Sequence, residues 1–281
     1  MRWQMKPQVF FAPAGVPIQC RDRSTLGGVR CTAELGLNSM EMEFVQGVKL
    51  NMKKAEEIRE TAQELNIKLS SHAPYFINFC NSDKKTTTFR NLEQSAVITE
   101  ACGGYITVFH PGFYGKFSKE EAYKIAKGLL SEVVERIKQK TKNVLLGAET
   151  VGKKSQFGGL DEVIKLSQHV ERVWPVIDFA HMLAREQNVK FKKEEDYIKV
   201  FDLLEKEIPG YTKKMHIHFS EINYSEAGEK SHLPLGTKYE PDYRPMLKVI
   251  KNNGYSAMIV SESPKIEFDA VRMMKFYDTL E

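Results

Sequence analysis

Residues 143–181 read NVLLGAETVGKKSQFGGLDEVIKLSQHVERVWPVIDFAH, and this stretch contains the repeating unit that decides the fold. An apolar run, Asn143–Thr150, is followed by a segment with helical periodicity, Leu160–Val170, and then by a second apolar run, Val173–His181. Short apolar runs that alternate with amphipathic helices are typical of parallel strands joined by crossover helices. The stretch therefore predicts a strand–helix–strand unit of an α/β protein.

The same alternation extends in both directions along the 281 residues. Eight such units in a chain of this length predict a closed (β/α)8 TIM barrel, and no G-x-G-x-x-G turn indicates an open dinucleotide-binding sheet. We therefore expect residues 1–281 to form a single TIM-barrel domain. The eight apolar runs are Val9–Ala12, Ser39–Val45, Lys68–Phe76, Tyr105–His110, Asn143–Thr150, Val173–His181, Met215–Ile222 and Ser256–Ser263. The clearest helical segments are Ala55–Leu65, Lys119–Lys138, Leu160–Val170, Asp196–Glu207 and Tyr243–Asn252.

Composition narrows the class of protein. Hydrophobic residues make up 42% and charged residues 28%, as in an ordinary globular domain, and the net charge of +4 permits an anionic partner without requiring one. We see no apolar run long enough to span a membrane, no signal peptide in Met1–Pro7 and no sign of an obligate protein partner, and we expect a cytoplasmic protein. The cysteines form no C-x-x-C pair, so we expect no thiolate metal site, and their scatter among charged residues suits a reducing cytoplasm better than a disulfide framework. They are Cys20, Cys31, Cys80 and Cys102.

Polar side chains end six successive apolar runs, from the third to the eighth. In TIM barrels the catalytic side chains project from the C-terminal ends of the strands. A single buried histidine is usually an ordinary core residue, but buried charges at six successive strand ends need ion pairs or metal ions. Imidazole and carboxylate ligands without thiolates suit Zn²⁺, Mn²⁺, Fe or Co. The candidates are His72, His110, Glu149, Asp178 with His181, His218 and Glu262.

Three further histidines differ in their surroundings. His232 lies in the loop after the seventh run, over the same end of the barrel, and is a further candidate ligand. His169 comes late in a helical segment and is predicted to lie on the surface. His216 shares a strand face with His218, because side chains alternate along a strand. It either lines the barrel one layer below the metal or contacts the metal ligands without binding the metal itself.

Taken in chain order, the candidate ligands and the residues around them resemble the motifs of endonuclease IV, a family of apurinic/apyrimidinic endonucleases within the xylose isomerase-like TIM barrels. Each motif alone is weak, but one motif per successive strand is a specific signal, and the resemblance extends from about the second strand to Glu262. The matching blocks are His72–Asn78 (HAPYFIN), His110–Gly112 (HPG), Glu149-Thr150, Ile177–His181 (IDFAH), His218–Glu221 (HFSE), His232 with Leu235-Gly236, and Glu262.

The resemblance implies a metal-dependent DNA-repair endonuclease that hydrolyses the phosphodiester 5′ to abasic sites in double-stranded DNA. A metal-activated hydroxide would be the nucleophile, with Glu149 and Glu262 as catalytic residues. About three Zn²⁺ per chain are implied, with Mn²⁺ or another divalent metal as alternatives. His72 and His110 would bind the first ion. Glu149 would bridge it to a second ion, bound also by Asp178, His218 and Glu262, and His181 and His232 would bind the third.

Two positions depart from the family pattern. The family has an aspartate two residues before the last histidine, as a ligand of the third metal, and Lys230 stands there in this chain. Glu229 is the candidate replacement ligand. The loop after the second run, where the family has polar and arginine residues that probe DNA, offers only Gln46 and Lys49. Tyr75 and Asn78 match the third-strand loop, where the family's tyrosine contacts DNA, and with Lys230 they are the predicted substrate contacts.

Two other functions compete with the endonuclease. A sugar isomerase or epimerase of the same superfamily would use one divalent metal held by Glu149, Asp178, His218 and Glu262. Such enzymes usually lack His72, His110 and His232 as a set, so this trio favours the endonuclease. A barrel that has lost activity and only binds nucleic acid would not need so many ligand-type residues. Metal content separates the two enzymes, because the nuclease requires about three ions and the isomerase about one.

Overall fold

The computed structural model describes residues 7–281 and shows eight parallel strands hydrogen-bonded in sequential order around a barrel. A bridge between Ala14 and Glu41 brings the first strand to the second, so the sheet is nearly closed. The predicted TIM barrel is therefore confirmed. Residues 1–6, where we expect no signal peptide, lie outside the described part. The strands are β1 (Val9–Pro13), β2 (Ser39–Glu43), β3 (Lys68–His72), β4 (Ile106–Phe109), β5 (Leu145–Glu149), β6 (Val173–Asp178), β7 (Met215–Phe219) and β8 (Ala257–Ser261).

Helices surround the barrel and connect its strands. The predicted segments Lys119–Lys138 and Tyr243–Asn252 are found with the same bounds. The first of them begins after Ser118, whose hydroxyl and backbone N–H form a capping box with Glu121. Within the described residues, no helix is long and apolar enough to cross a membrane. The helices are α1 (Thr25–Glu34), α2 (Met52–Glu64), α3 (Lys85–Ala101), α4 (Lys119–Lys138), α5 (Leu160–His169), α6 (Phe179–Glu186), α7 (Glu194–Glu207), α8 (Tyr243–Asn252) and α9 (Glu267–Asp278).

Two of the predicted apolar runs include the start of the next helix or strand as well as their own strand. The run Val173–His181 changes from strand to helix at Asp178, whose carboxylate accepts the backbone N–H of His181 at 2.7 Å and caps α6. The run Met215–Ile222 contains the end of β7 and the start of an antiparallel pair, Glu221–Ser225 with Gly228–Leu233, which we call the outer hairpin. Apolar composition alone does not show where a strand changes its hydrogen-bond partners.

Alternation along the strands decides which side chains face the barrel interior. In β7, Ile217 and Phe219 pack outwards with the helices in the largest apolar cluster, which places His216 and His218 inside. In β2, Met40 packs outwards in a second apolar cluster, which places Glu41 inside. Donor atoms of Glu41, His216 and His218 lie within 4.8 Å of one another there, so these residues form a polar cluster in the barrel interior.

Cys20 and Cys31 form a disulfide bond, so the expectation that the chain has no disulfide is wrong. Helix α1 begins shortly after Cys20 and carries Cys31 in its second turn, which brings the two Cα atoms to 5.9 Å. The pairing depends on this helix–loop geometry, and a spacing of eleven residues does not reveal it. Cys80 and Cys102 are free and buried.

Candidate metal centre

The predicted ligands lie together at the C-terminal end of the barrel. They form three sets of side chains whose donor atoms lie within 4.8 Å of one another. The sets share residues, so they make one continuous centre. The first donor group is His72, His110 and Glu149. The second donor group is Glu149, Asp178, His218 and Glu262. The third donor group is Asp178, His181, His232 and Glu262.

The first donor group converges on one carboxylate oxygen. Nε2 of His72 and Nε2 of His110 each lie 3.1 Å from Glu149 Oε2. The other ring nitrogen of His72, Nδ1, lies 2.8 Å from the carbonyl oxygen of Ala73. Because a carbonyl only accepts hydrogen bonds, this contact places the proton on Nδ1 and leaves the Nε2 lone pair free for a ligand.

Glu149 links the first donor group to the second. Its Oε1 atom lies 3.3 Å from Nδ1 of His218, and that nitrogen lies 2.9 Å from Glu262 Oε1. β5 and β7 supply Glu149 and His218, and β6 between them supplies Asp178, opposite His218 in the strand pairing. The order of the strands thus sets the order of the ligands around the centre.

The third donor group has Glu229 beside it. Glu229 Oε2 lies 3.5 Å from His181 Nε2, and Oε1 lies 3.8 Å from His232 Nε2. Each histidine is oriented by its other nitrogen, since Nδ1 of His181 lies 2.9 Å from the Thr150 carbonyl and Nδ1 of His232 lies 2.6 Å from Ser220 Oγ. Both Nε2 atoms therefore face the carboxylate that the sequence offers as the replacement ligand.

A β-bulge in the outer hairpin turns Glu229 towards the centre. Ser231 pairs with Asn223, but the next pair is Glu229 with Tyr224, so Lys230 is the extra residue of the bulge. A regular strand would place Lys230 on the same side as His232 and Glu229 on the opposite side. The bulge reverses this, and Lys230 is exposed.

Several donor atoms are buried without a hydrogen-bond partner in the described chain, and they show that the groups fit metal ions. They are Glu149 Oε1, Asp178 Oδ2 and His218 Nδ1. An unsatisfied buried polar atom costs about 1–3 kcal/mol. Yet His218 Nδ1 approaches two carboxylates closely without hydrogen-bond geometry. Atoms that converge in this way match the mixed histidine and carboxylate ligand sets of divalent metals such as zinc.

Carboxylates in the centre raise the pKa values of two of its members, one acid and one base. Burial and the carboxylates of Glu262 and Glu149 raise the pKa of Asp178 to about 8, although His181 opposes this. Burial lowers the pKa of His72, but contacts with Glu149 and Glu43 outweigh it and raise the value to about 10. Both groups thus favour their protonated forms, and a divalent cation bound here would compete with those protons.

Two carboxylates of β2, Glu41 and Glu43, were not predicted from the sequence. Glu41 is fully buried and lies 2.9 Å from His218 Nε2 and 3.0 Å from His216 Nε2. Glu43 lies opposite His72 in the strand pairing, and burial together with Glu41 and Glu262 raises its pKa to about 8 against the effect of His72. The alternation Met40-Glu41-Met42-Glu43 was the available signal, since it puts two acids on one face.

The remaining predicted residues have different positions. Tyr75 is exposed, and its ring centroid lies 5.4 Å from that of His72 and 5.6 Å from that of His110. Asn78 is buried, and its carboxamide oxygen accepts the backbone N–H groups of Cys80 and Phe113. Asn78 thus connects two loops, and its role as a substrate contact stays a prediction. His169 lies at the end of α5, away from the centre, where its Nδ1 lies 2.7 Å from the Lys165 carbonyl.

Exposed lysines border the third donor group. Lys153 and Lys154 lie in the loop after β5, and both are exposed. This loop is bound to the outer hairpin, because Lys153 pairs with Gly228 and the Lys154 N–H donates to the Ala227 carbonyl. These two lysines and Lys230 therefore lie on connected loops at the open end of the barrel.

Comparisons with known proteins agree with this architecture. The profile of the xylose isomerase-like TIM barrel family matches residues 29–280. The uncharacterized protein MJ0133 of Methanocaldococcus jannaschii is 37% identical over 278 residues, which cover 97% of this chain and 98% of that protein. A probable endonuclease 4 of Mesomycoplasma hyopneumoniae is 29% identical over 153 residues, which cover 53% of this chain and 52% of the relative.

Two solved structures share the whole fold. Endonuclease IV from Thermus thermophilus superposes with a TM-score of 0.73 at 16% identity, covering 98% of this chain and 100% of that chain. A D-tagatose 3-epimerase-like protein superposes with a TM-score of 0.71 at 17% identity, covering 95% and 96%. Likeness at this identity shows the fold, and the profile match shows the family. The chain belongs to the xylose isomerase-like TIM barrel family.

Proposed function

We propose that this protein is a metal-dependent endonuclease that hydrolyses the phosphodiester bond 5′ to abasic sites in double-stranded DNA. The observation that carries the proposal is the division of the centre into three donor groups joined by Glu149, Asp178 and Glu262. An enzyme that moves a proton beside a carbonyl needs one metal ion. A phosphoryl-transfer enzyme gains from several ions, because charge develops on both the attacking and the leaving oxygen.

The histidines outside the second donor group support this choice. His72 and His110 converge on Glu149 from β3 and β4, and His232 reaches the centre from the outer hairpin. None of the three is needed for a single ion at the second donor group. The bulge at Lys230 adds Glu229 to the third donor group, so the position that departs from the family pattern keeps a carboxylate.

The solvent exposure of the ligands defines the side from which a phosphate would approach. His110, His232 and Glu262 are partly exposed, with 20%, 22% and 16% of their side chains accessible, whereas Glu149 and His218 are fully buried. Zinc ions bound here would lower the pKa of a water molecule and stabilise charge on the phosphate oxygens. Glu149 and Glu262, each shared between donor groups, would hold neighbouring ions close together.

Contacts with DNA would come from the rim of the same opening. Tyr75 presents an exposed ring beside His72 and His110, where it could stack on a base or on the exposed sugar of the lesion. Lys153, Lys154 and Lys230 are exposed on connected loops and could pair with phosphates. The short loop after β2 offers Lys49, which contacts Gln46 at 3.3 Å and is also exposed.

A sugar isomerase or epimerase that uses a single divalent metal is the second candidate. The specific observation in its favour is that Glu149, Asp178, His218 and Glu262 form a complete four-ligand set on their own. Glu43 beside that set could bind a sugar hydroxyl, since a carboxylate accepts hydrogen bonds from hydroxyl groups. Under this alternative, His72, His110 and His232 would bind no metal.

Metal analysis combined with two activity assays decides between the candidates. The protein is loaded with Zn²⁺ or Mn²⁺, dialysed and analysed for metal per chain. It is then incubated with a duplex oligonucleotide that carries one tetrahydrofuran abasic analogue, with an intact duplex as control, and separately with a ketose. We expect about three ions per chain and chelator-sensitive cleavage 5′ to the analogue. About one ion per chain with ketose epimerisation and intact DNA would refute the endonuclease.

A further inference from the structure

A buried network lies beneath the second donor group, on the inner side of His218. Glu41 projects from β2 across the barrel interior, and its Oε1 atom lies 2.9 Å from Nε2 of His218. Its Oε2 atom accepts the Ser70 hydroxyl at 2.7 Å and lies 3.0 Å from Nε2 of His216. His216 in turn contacts the Tyr105 hydroxyl through Nδ1 at 2.7 Å. Glu41, His216 and His218 have no solvent exposure.

The two nitrogens of His218 face different partners. Nδ1 faces Glu262 and Glu149 in the second donor group, and Nε2 faces Glu41. Nε2 of His218 and Oε1 of Glu41 lie 2.9 Å apart, and in the described chain neither atom has a partner with hydrogen-bond geometry. A carboxylate only accepts hydrogen bonds, so a proton on Nε2, brought in line with Glu41 Oε1 by a small rotation of the ring, would satisfy both atoms and leave the Nδ1 lone pair for a metal.

We propose that Glu41 is a positioning residue that fixes the protonated form of His218, so that Nδ1 and not Nε2 binds the second metal ion. His216 and Ser70 hold the other oxygen of Glu41, and Tyr105 holds His216, so the carboxylate cannot rotate freely. A carboxylate behind a ligand histidine fixes the ring and strengthens it as a ligand. The inference rests on the metal centre of the proposed function, but not on its substrate.

Substitution of Glu41 by glutamine should exchange the hydrogen-bond donor and acceptor in its contact with His218. In the wild type, Glu41 Oε2 faces two hydrogen-bond donors, the Ser70 hydroxyl and His216 Nε2. In Glu41→Gln, the amide oxygen should take the position of Oε2, because only the oxygen can accept from both. The amide nitrogen would then face His218 Nε2 and donate to it. A ring that accepts at Nε2 carries its proton at Nδ1, which removes the lone pair that the metal needs. Loss of the carboxylate therefore acts through the ring of His218 and not only through stability.

The direct test is a long-range ¹H–¹⁵N correlation spectrum of the zinc-loaded protein labelled with ¹⁵N-histidine, with His218 assigned by substitution. We expect a proton on Nε2 of His218 and none on Nδ1. Glu41→Gln should lose this pattern and should release its most weakly bound zinc to a chelator about 10–100-fold more readily. Glu41→Asp, which keeps the carboxylate on a shorter side chain, should restore part of the affinity.

A variant at a separate site controls for stability alone. Glu162→Gln removes another buried carboxylate, one that accepts the N–H groups of Gly158 and Gly159 away from the donor groups, and should keep the zinc affinity.

A proton on Nδ1 of His218 in the wild type would overturn the proposal, whether or not any variant folds. So would a metal ion between Glu41 and both histidines, which would leave Nε2 without a proton. Wild-type zinc affinity in a folded Glu41→Gln would also overturn it. None of these readouts depends on DNA cleavage, so a failed endonuclease assay leaves them intact and failure here is distinct from failure of the proposed function.

Discussion

Glu229 and His232 face each other, with Oε1 3.8 Å from Nε2, although residues three apart on a regular strand lie on opposite faces. The bulge at Lys230 produces this relationship, because it adds one residue between them without a pairing partner. The outer hairpin thus compensates for a lysine at the position where a carboxylate is expected. Glu229 also approaches His181, so one carboxylate connects two histidines from different elements.

Glu229 should therefore be a metal ligand and Lys230 should not. We expect Glu229→Ala to lower the zinc content by about one ion per chain and to reduce cleavage, because the third ion stabilises charge in the transition state. Lys230→Ala should keep the metal content. Metal analysis of the two variants side by side is the measurement. If zinc content is unchanged in Glu229→Ala, Glu229 is not a ligand.

Deletion of Lys230 tests the role of the bulge itself. Without the extra residue, the hairpin can form a regular ladder in which Glu229 comes two residues before the histidine on the same face. We expect this deletion variant to keep its zinc content, measured after dialysis in parallel with Glu229→Ala. Loss of one ion from the deletion variant alone would show that the bulge has a role beyond turning Glu229.

Lys153 and Lys154 should contribute phosphate contacts. Each phosphate contact that is lost should reduce the slope of log affinity against log salt by about 0.9, because fewer counterions are released. The double variant Lys153→Ala, Lys154→Ala should therefore bind abasic duplex more weakly and with a smaller salt dependence. Lys165→Ala, an exposed lysine on α5, is the matched control. If the double variant leaves the salt slope unchanged, Lys153 and Lys154 do not contact the DNA phosphates.

Tyr75 should act through its ring and not through its hydroxyl. Stacking of a base on an aromatic side chain is worth about 1–3 kcal/mol, so Tyr75→Ala should weaken binding of abasic DNA by about 5- to 150-fold. Tyr75→Phe keeps the ring and should bind as the wild type does. Fluorescence anisotropy with labelled duplex measures both, with zinc analysis to show that the first donor group is intact. Equal affinity of the alanine variant and the wild type would assign Tyr75 to packing beside His72.

The disulfide gives a prediction about stability. Closing a loop of this size in the unfolded chain is worth about 3 kcal/mol, so Cys31→Ser should lower the unfolding free energy by that order without changing metal content. Thiol titration of the denatured, unreduced wild type should find the thiols of Cys80 and Cys102 alone. Reaction of all the cysteines would show that Cys20 and Cys31 are not joined.

The sequence reveals the barrel and most of the donor residues because strand ends in this fold meet at one place. Glu149 and Asp178 each end a strand of the barrel, and the parallel order brings them together. Glu41 and Glu43 were not predicted because polar residues that alternate along a strand usually face solvent. In this barrel, the face on which they lie is the interior. The bulge at Lys230 could not be read from the sequence, since it depends on which backbone groups pair across the hairpin.

Cleavage of abasic DNA by the wild type and by Glu149→Gln tests the central claim most directly. Glutamine keeps the size of the side chain but removes the charge that joins the first two donor groups. We predict that zinc-loaded wild type cuts a tetrahydrofuran duplex on the 5′ side, leaving a 3′ hydroxyl. Glu149→Gln should stay folded but lose zinc and be slower by more than about 100-fold. Intact DNA with the zinc-loaded wild type, or undiminished cutting by Glu149→Gln, would contradict the account.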